Sequence, residues 1–256
     1  MEVLTSTLFI KTEILVRMDF QSEYKQEFDE AFFKDGYNLC DLFLSGGFNK
    51  ENLFAAQKQL YKVVDGLNNS LLSRAEKEGK PAACKMGCSF CCHQTVLATP
   101  YELFYLAEHL KSKFKGDALE AIKERAKIKM EKSSKLSMER LLKHKEPCPL
   151  LHPELGFCRA YQARPMACRI YLSSDVKSCI DDLANPEDDS IFPHLFEMPL
   201  GVGRMMNEGF HARLRLNRKN NLQAFENSIE EGLLIVLGEE AFEQWLTGES
   251  IFRKIE

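Results

Sequence analysis

The sequence predicts a mainly α protein, with helices packed around a loop-rich core that cysteine-ligated metal would order. Three observations carry that prediction. Eight of the nine cysteines fall between Cys84 and Cys179. Apolar residues recur every three or four positions on both sides of that region, the helical period. Between Cys148 and about Pro199 the period is lost, and Pro149, Pro153, Pro165, Pro186, Pro193 and Pro199 join Gly156 in a stretch of turns.

In chain order, Asp19 to Lys34 reads as a short amphipathic helix carrying Phe20, Tyr24, Phe28, Ala31 and Phe32, which Gly36 interrupts. Asn49 to Glu78 repeats Leu53, Ala56, Leu60, Val63, Leu67 and Leu71 before Gly79-Lys80-Pro81 stops it. Thr99-Pro100-Tyr101-Glu102 is a helix start with a capping box and proline in the first turn. Gly116-Asp117 separates that helix from a longer one, Ala118 to Leu142, with its stripe at Leu119, Ile122, Ala126 and Met130. Near the end, Leu222, Phe225, Ile229 and Leu233 form one helical stripe, and Phe242, Trp245 and Leu246 another. The expected division is an extension over 1–17, a helical region over 18–80, a cysteine-cluster domain over 81–199 that includes the helices of 100–142, and a helical region over 200–256.

A length of 256 residues suffices for one sizeable core, and 45% hydrophobic with 28% charged residues is ordinary for a folded protein. The net charge of −4 exerts no global pull toward nucleic acid or an anionic membrane. No apolar run approaches the roughly 20 residues of a spanning helix. Val3 to Ile10 lacks a basic leader and a small-residue cleavage site, so a signal peptide is not expected, and Met18 reads as the natural start. The expected compartment is the cytoplasm, where disulfides are rare and cysteine clusters bind metal or do redox work.

The first four clustered cysteines read Cys84-x3-Cys88-x2-Cys91-Cys92, and Cys148, Cys158, Cys168 and Cys179 follow. Spacings this short let a turn of backbone aim several sulfurs at one point; four thiolates serve one zinc or one four-iron cluster, and eight serve two. Adjacent side chains diverge, so Cys91 and Cys92 either feed different sites or one is a bystander. The spacing does not pair the ligands. Cys40, between Leu39 and Leu42, reads as a packed thiol, and His93 and His152 as non-ligands. Cys158-Arg159-Ala160-Tyr161 is echoed by Cys168-Arg169-Ile170-Tyr171, with Arg164-Pro165 between. These arginines either donate to thiolate sulfur or make ordinary surface ion pairs, and Tyr161 and Tyr171 would wall the core.

The full string, Cys-x3-Cys-x2-Cys-Cys, then Cys148-Pro149-Leu150, then Cys158-x-x-Tyr161-x-x-Arg164-Pro165-x-x-Cys168-Arg169 and Cys179, resembles the YkgJ-type cysteine-cluster family. It departs from the commonest form of that motif in having three residues, including Met86-Gly87, after the first cysteine. The resemblance implies a zinc- or iron-chelating domain and names no reaction. A similar cluster in bacterial flagellin lysine methylase implies that a cluster-dependent modification activity is open to such a chain.

The expected function is therefore metal binding on Cys84, Cys88, Cys91, Cys92, Cys148, Cys158, Cys168 and Cys179, with an iron–sulfur cluster of the [4Fe–4S] type, or zinc in its place, in a redox, metal-handling or structural role. One alternative is an enzyme using S-adenosylmethionine for methyl transfer or radical chemistry, because Cys84-x3-Cys88-x2-Cys91 also matches the radical signature; that chemistry sits in a β/α barrel for which no alternating strands are visible. Another is a structural zinc module with a nucleic-acid or protein partner. Lys111 to Lys145 holds twelve Lys or Arg against five Asp or Glu. Without interleaved aromatics this reads as a solvated helix face rather than a phosphate-binding one, with docking on the acidic segment Glu226 to Glu256 as the other reading. A protein partner is open, nucleic acid is not favoured, and no membrane partner is expected.

Overall fold

A computed structural model describes residues 22–85, 87–216 and 222–253 of the chain. The N-terminal extension and Met18, the stripe residue Phe20, and Met86 lie outside those residues. Ten α-helices are present among the described residues: α1 Ser22–Leu44, α2 Lys50–Lys77, α3 Pro100–Lys113, α4 Asp117–Ser133, α5 Met138–Lys143, α6 Met166–Ile170, α7 Val176–Ala184, α8 Glu197–Arg215, α9 Ile229–Val236 and α10 Ala241–Leu246. The sheet is a single antiparallel pair, β1 Leu97–Ala98 with β2 Asn227–Ser228, in which Leu97 faces Ser228. The chain is mainly α, as its periodicity predicts.

The helix starts follow their caps. Asn49 accepts from the Asn52 N–H at the head of α2. Glu102 reaches back to the Thr99 N–H at 3.1 Å and takes the Thr99 hydroxyl at 2.9 Å, and Pro100 opens α3. Leu103, Leu106 and Leu110 of α3 are fully buried, each contributing about 1.5–3 kcal/mol relative to exposure. Phe104 of the same helix meets Phe242, Trp245 and Phe252 at ring-centroid distances of 5.1, 5.3 and 6.0 Å. One hydrophobic core runs from Cys40 to Phe252.

Three sequence expectations need correction. Gly36 does not end the first helix; α1 runs on to Leu44. Gly36 is there because α8 crosses at that point: a Cβ on it would stand 1.9 Å from the Met206 carbonyl oxygen, and one on Gly209 would stand 1.9 Å from that of Phe33. Two glycines thus let two backbones touch. The helix expected over Ala118 to Leu142 is two, because Ser137 caps a second start by accepting from the Arg140 N–H. The stripe from Leu222 to Leu233 is helical only from Ile229; before that the chain turns into β2, and Ser228 caps α9. The longest C-terminal helix, α8, begins inside the proline-rich stretch, with Pro199 in its first turn, where a missing N–H costs nothing.

Candidate metal centre

The irregular segment that carries the late cysteines is held by three helices through one buried arginine. Arg169 is 1% exposed. Its guanidinium meets the Asp65 carboxylate of α2 and the Gln162 carbonyl, its Nε donates to the Arg164 carbonyl at 2.9 Å, and its Cζ lies 3.8 Å from the Tyr61 ring centroid. From α3, Glu102 accepts the Met166 N–H at 2.8 Å and the Tyr61 hydroxyl at 3.1 Å. Asn68 of α2 donates to the Arg169 carbonyl, and Ile170 seats on Gly203 of α8. The turn bearing Cys168 is therefore fixed by buried polar groups on α2 and α3 and by close packing on α8. Arg169 is not a surface ion pair; it is the post on which the loop is built.

The early and late cysteines meet through backbone. The Cys148 N–H donates to the Cys92 carbonyl at 2.7 Å. Cys158 pairs with Leu151 across a tight hairpin in which Arg159 N–H donates to the Leu150 carbonyl. At its tip, Gly156 sits at φ 66°, and a Cβ there would stand 3.2 Å from the Gly87 carbonyl oxygen, which brings the hairpin against the turn that presents Cys88. The 3₁₀ turn Phe90–His93 carries Cys91 and Cys92 and packs on α7, which carries Cys179. A buried network fastens that contact: Gln94 donates to the Tyr171 hydroxyl at 2.8 Å and to Asp182 at 3.0 Å, and Lys145 bonds the same Asp182 oxygen at 2.7 Å.

All nine cysteines are free thiols, eight of them half-buried and Cys40 fully buried among apolar residues. Burial raises the thiols of Cys84, Cys148, Cys158, Cys168 and Cys179, Cys148 to about 12. Cys91 is lowered, first by a hydrogen bond from Cys92 and then by its own backbone N–H and the Arg164 charge, against the cost of burial; Cys92 is raised correspondingly. Neutral thiols keep local partners. Cys84 donates to the Ser173 carbonyl at 3.9 Å and accepts the Ser173 N–H at 3.3 Å, and Cys179 donates to the Asp175 carbonyl at 3.5 Å. With the side chains so placed, no three His, Cys, Asp or Glu groups among the described residues form a set that could hold an ion. The sulfurs of Cys84 and Cys179 are turned to carbonyls, and those of Cys91 and Cys92 to each other.

Sequence reasoning missed several groups around these thiols. Arg125 and Lys129, on the helix read as a solvated basic face, both lie inward. Lys129 is 4% exposed, donates to the Glu146 carbonyl and pairs at 3.8 Å with Glu230, which is wholly buried in α9; here the alternative reading, docking on the C-terminal segment, holds. The Lys129 charge also acts to lower the Cys148 thiol against the larger effect of burial. Arg125 donates through Nε to the Pro149 carbonyl, and both the Arg159 and Cys148 charges act on it. Arg125 Nη2, Arg159 Nε and Arg164 Nε are buried with no hydrogen-bond partner among the described residues. The spacing i, i+4 of Arg125 and Lys129 was the available signal. Tyr161, expected to wall the core, is 61% exposed and lies flat on Arg164, whose Cζ is 3.9 Å from the ring centroid. His152 Nδ1 accepts the Leu155 N–H at 3.2 Å, and His93 Nδ1 lies 3.1 Å from the Ser89 carbonyl.

Residues 83–188, which hold every clustered cysteine, match the family model CxxCxxCC. That segment is similar to a CxxCxxCC domain. The family is described as a "Putative zinc- or iron-chelating domain", so the match supports metal binding and leaves the metal open. No curated protein and no solved structure matches the chain. The matched segment does not stand apart from its flanks: α2 and α8, outside its matched limits, supply posts on which its loops rest. Among the described residues no helix is long and apolar enough to cross a membrane.

The donor chemistry fits a thiophilic ion. Soft thiolates select zinc or iron–sulfur clusters, and a cation is what brings buried, raised thiols to the thiolate form. Three unpartnered guanidinium nitrogens beside Cys148, Cys158 and Cys91 are the counterpart expected around an anionic thiolate centre.

Proposed function

We propose that this chain is an iron–sulfur protein whose CxxCxxCC domain holds [4Fe–4S] chemistry on Cys84, Cys88, Cys91, Cys92, Cys148, Cys158, Cys168 and Cys179. The observation that carries the reading is the set of unpartnered nitrogens Arg125 Nη2, Arg159 Nε and Arg164 Nε. A buried unsatisfied donor costs about 1–3 kcal/mol, and more when charged, so each of the three calls for an acceptor that the described residues do not supply. Arg125 and Arg159 also repel each other in a partly buried setting, which an anion between them offsets. A four-iron cluster offers inorganic sulfides as acceptors in addition to cysteine sulfur, whereas a zinc tetrathiolate offers only the four ligand sulfurs. When bound, such a cluster supplies one-electron redox capacity or a rigid cross-link; the arginines would tune it through charge and N–H···S bonds.

Nine unpaired thiols support placing the protein in a reducing cytoplasm. Pairing of Lys132 with Glu146, Arg140 with Glu187 and Lys143 with Asp189 supports a basic segment matched by its own chain rather than by nucleic acid. The helical fold, with one two-stranded sheet among the described residues, offers no support for a radical S-adenosylmethionine barrel.

Anaerobic purification of the full chain, with metal and acid-labile sulfide analysis and a visible spectrum, tests the proposal. Iron and sulfide in equal amounts with a broad brown absorption are expected. A colourless protein with stoichiometric zinc and no sulfide overturns the iron assignment in favour of a zinc module.

A further inference from the structure

We propose that α7 is a self-association surface: the apolar face that Val176–Ala184 turns to solvent pairs with the same face of a second copy of this chain. The two helices run antiparallel about a two-fold axis beside Cys179 and Ile180. The inference does not draw on the metal reading above and goes beyond it.

α7 is a nine-residue helix set inside out. Its buried residues, Ser178 and Asp182, are polar, while Val176 and Ile180 are each 42% exposed. The inward side chains are bonded. Ser178 Oγ donates to the Asp175 carbonyl at 2.8 Å and accepts the His194 N–H at 2.9 Å. Asp182 accepts from Gln94 at 3.0 Å and from Lys145 at 2.7 Å. Ser173, whose N–H goes to Cys84, fixes the helix start: its Oγ donates to the Asp175 carbonyl at 2.9 Å, and Asp175 caps the helix. These bonds set the rotation of α7 and so send its apolar side outward. At about 100° per residue, Val176, Ile180, Leu183 and Ala184 share one side of the cylinder, with Cys179 at its border. Turning the helix over to hide them would break the Ser178 and Asp182 bonds and leave buried groups unpaired.

The charges beside this face say what it fits. Around α7, Lys145 matches Asp182, Arg140 matches Glu187, Lys143 matches Asp189, and Asp175 lies 3.4 Å from His194. Asp188 accepts the Ser190 N–H and hydroxyl. Lys177 and Asp181, one turn apart beside the stripe, form no ion pair among the described residues. A surface with one such cation and one such anion a turn apart is complementary to itself when reversed. An antiparallel second copy sets Lys177 toward the partner's Asp181 and Asp181 toward the partner's Lys177. The same placement sets Ile180 against the partner's Ile180, and Val176 against the partner's Ala184, a smaller side chain. A wholly basic or wholly acidic partner would instead leave one of the two charges facing its like. The helix is about 14 Å long, so the joint falls well short of the roughly 800 Å² per partner of a standard interface. Association is therefore weak and concentration-dependent.

Sedimentation velocity of the full chain from about 1 μM to about 1 mM tests the proposal, the affinity range of a small interface. The average mass should climb from one chain toward two as concentration rises. Ile180→Glu puts two carboxylates at the axis and should weaken association at least about ten-fold, with the circular dichroism unchanged. Val176→Ser is a milder change that should weaken it too, and it serves if the glutamate disturbs the fold. Lys177→Asp and Asp181→Lys should each weaken association, and the double exchange should restore it, a rescue that damage to the fold does not give. A chain that stays monomeric at the highest concentration overturns the proposal. So does a dimer indifferent to both apolar substitutions, which puts the joint elsewhere. A double exchange no tighter than the single ones overturns the antiparallel second copy as the occupant.

Discussion

The Cys148 N–H donates to the Cys92 carbonyl at 2.7 Å, joining residues 56 positions apart in the chain at the point where the early and late cysteines meet. Everything proposed for the metal centre depends on that junction, and it is backbone rather than side chain that makes it. The bond survives substitution of either thiol, so ligand variants report on the metal rather than on the meeting of the two segments.

Cys168→Ala should lower the metal content and open 160–178 to protease, since the loop then lacks one of its ordering bonds. Cys40→Ala should keep full loading. Cys40 is wholly buried in the core, its thiol pushed to about 12 by burial, and its loss costs a small cavity of about 1 kcal/mol. Metal analysis with limited proteolysis checks both; equal metal loss in the two variants contradicts the assignment.

Arg169→Lys should destabilise nearly as much as Arg169→Ala. A lysine offers one point charge where the guanidinium meets Asp65 and two carbonyls and stacks on Tyr61. Removing one partner of a buried pair costs about 3–5 kcal/mol. Denaturant unfolding of the three proteins reads this directly, and a lysine variant as stable as wild type would remove Arg169 as the post of the loop.

Glycines in helices should divide sharply by position. Gly36→Ala and Gly209→Ala each drive a Cβ to 1.9 Å from a carbonyl oxygen of the crossing helix and should cost at least about 3 kcal/mol. Gly66, inside α2 with open space around its missing Cβ, should instead gain about 0.5–1 kcal/mol as alanine. Chemical denaturation midpoints measure both signs.

Acid should weaken the protein partly through His211. Burial, then the nearby Arg215, lower its imidazole from 6.5 to about 4, and its Nε2 is buried without a partner among the described residues. Between those two values the unfolded chain binds a proton that the folded chain refuses, so stability falls as pH drops from 6.5 toward 4. The full shift corresponds to about 3 kcal/mol. His211→Gln should flatten that part of the stability–pH curve relative to wild type; parallel curves would show that the imidazole is not held neutral.

Much of the fold is legible in local pattern. Asn49, Thr99 and Gly116 mark helix starts because capping needs only neighbouring residues, and the Leu53–Leu60 repeat marks a buried face for the same reason. Gly36 misleads because a glycine's local preference for breaking helices and its usefulness at a helix crossing look alike in one dimension. Arg125 and Lys129 mislead because charge density along a helix is silent about which face turns inward; Glu230, about a hundred residues on, is what admits Lys129 to the core.

By itself the sequence determined the helical class, the gathering of eight thiols in one segment and the chemistry they would select, since periodicity, capping and ligand softness are properties of residues and their spacing. The tertiary structure alone decided that Arg169, Glu102 and Asp65 build the loop, and that Ser173 clamps Cys84 to the Cys179 helix. Those relations join residues from 6 to about 100 positions apart, and only a packed core with satisfied buried polar groups specifies them.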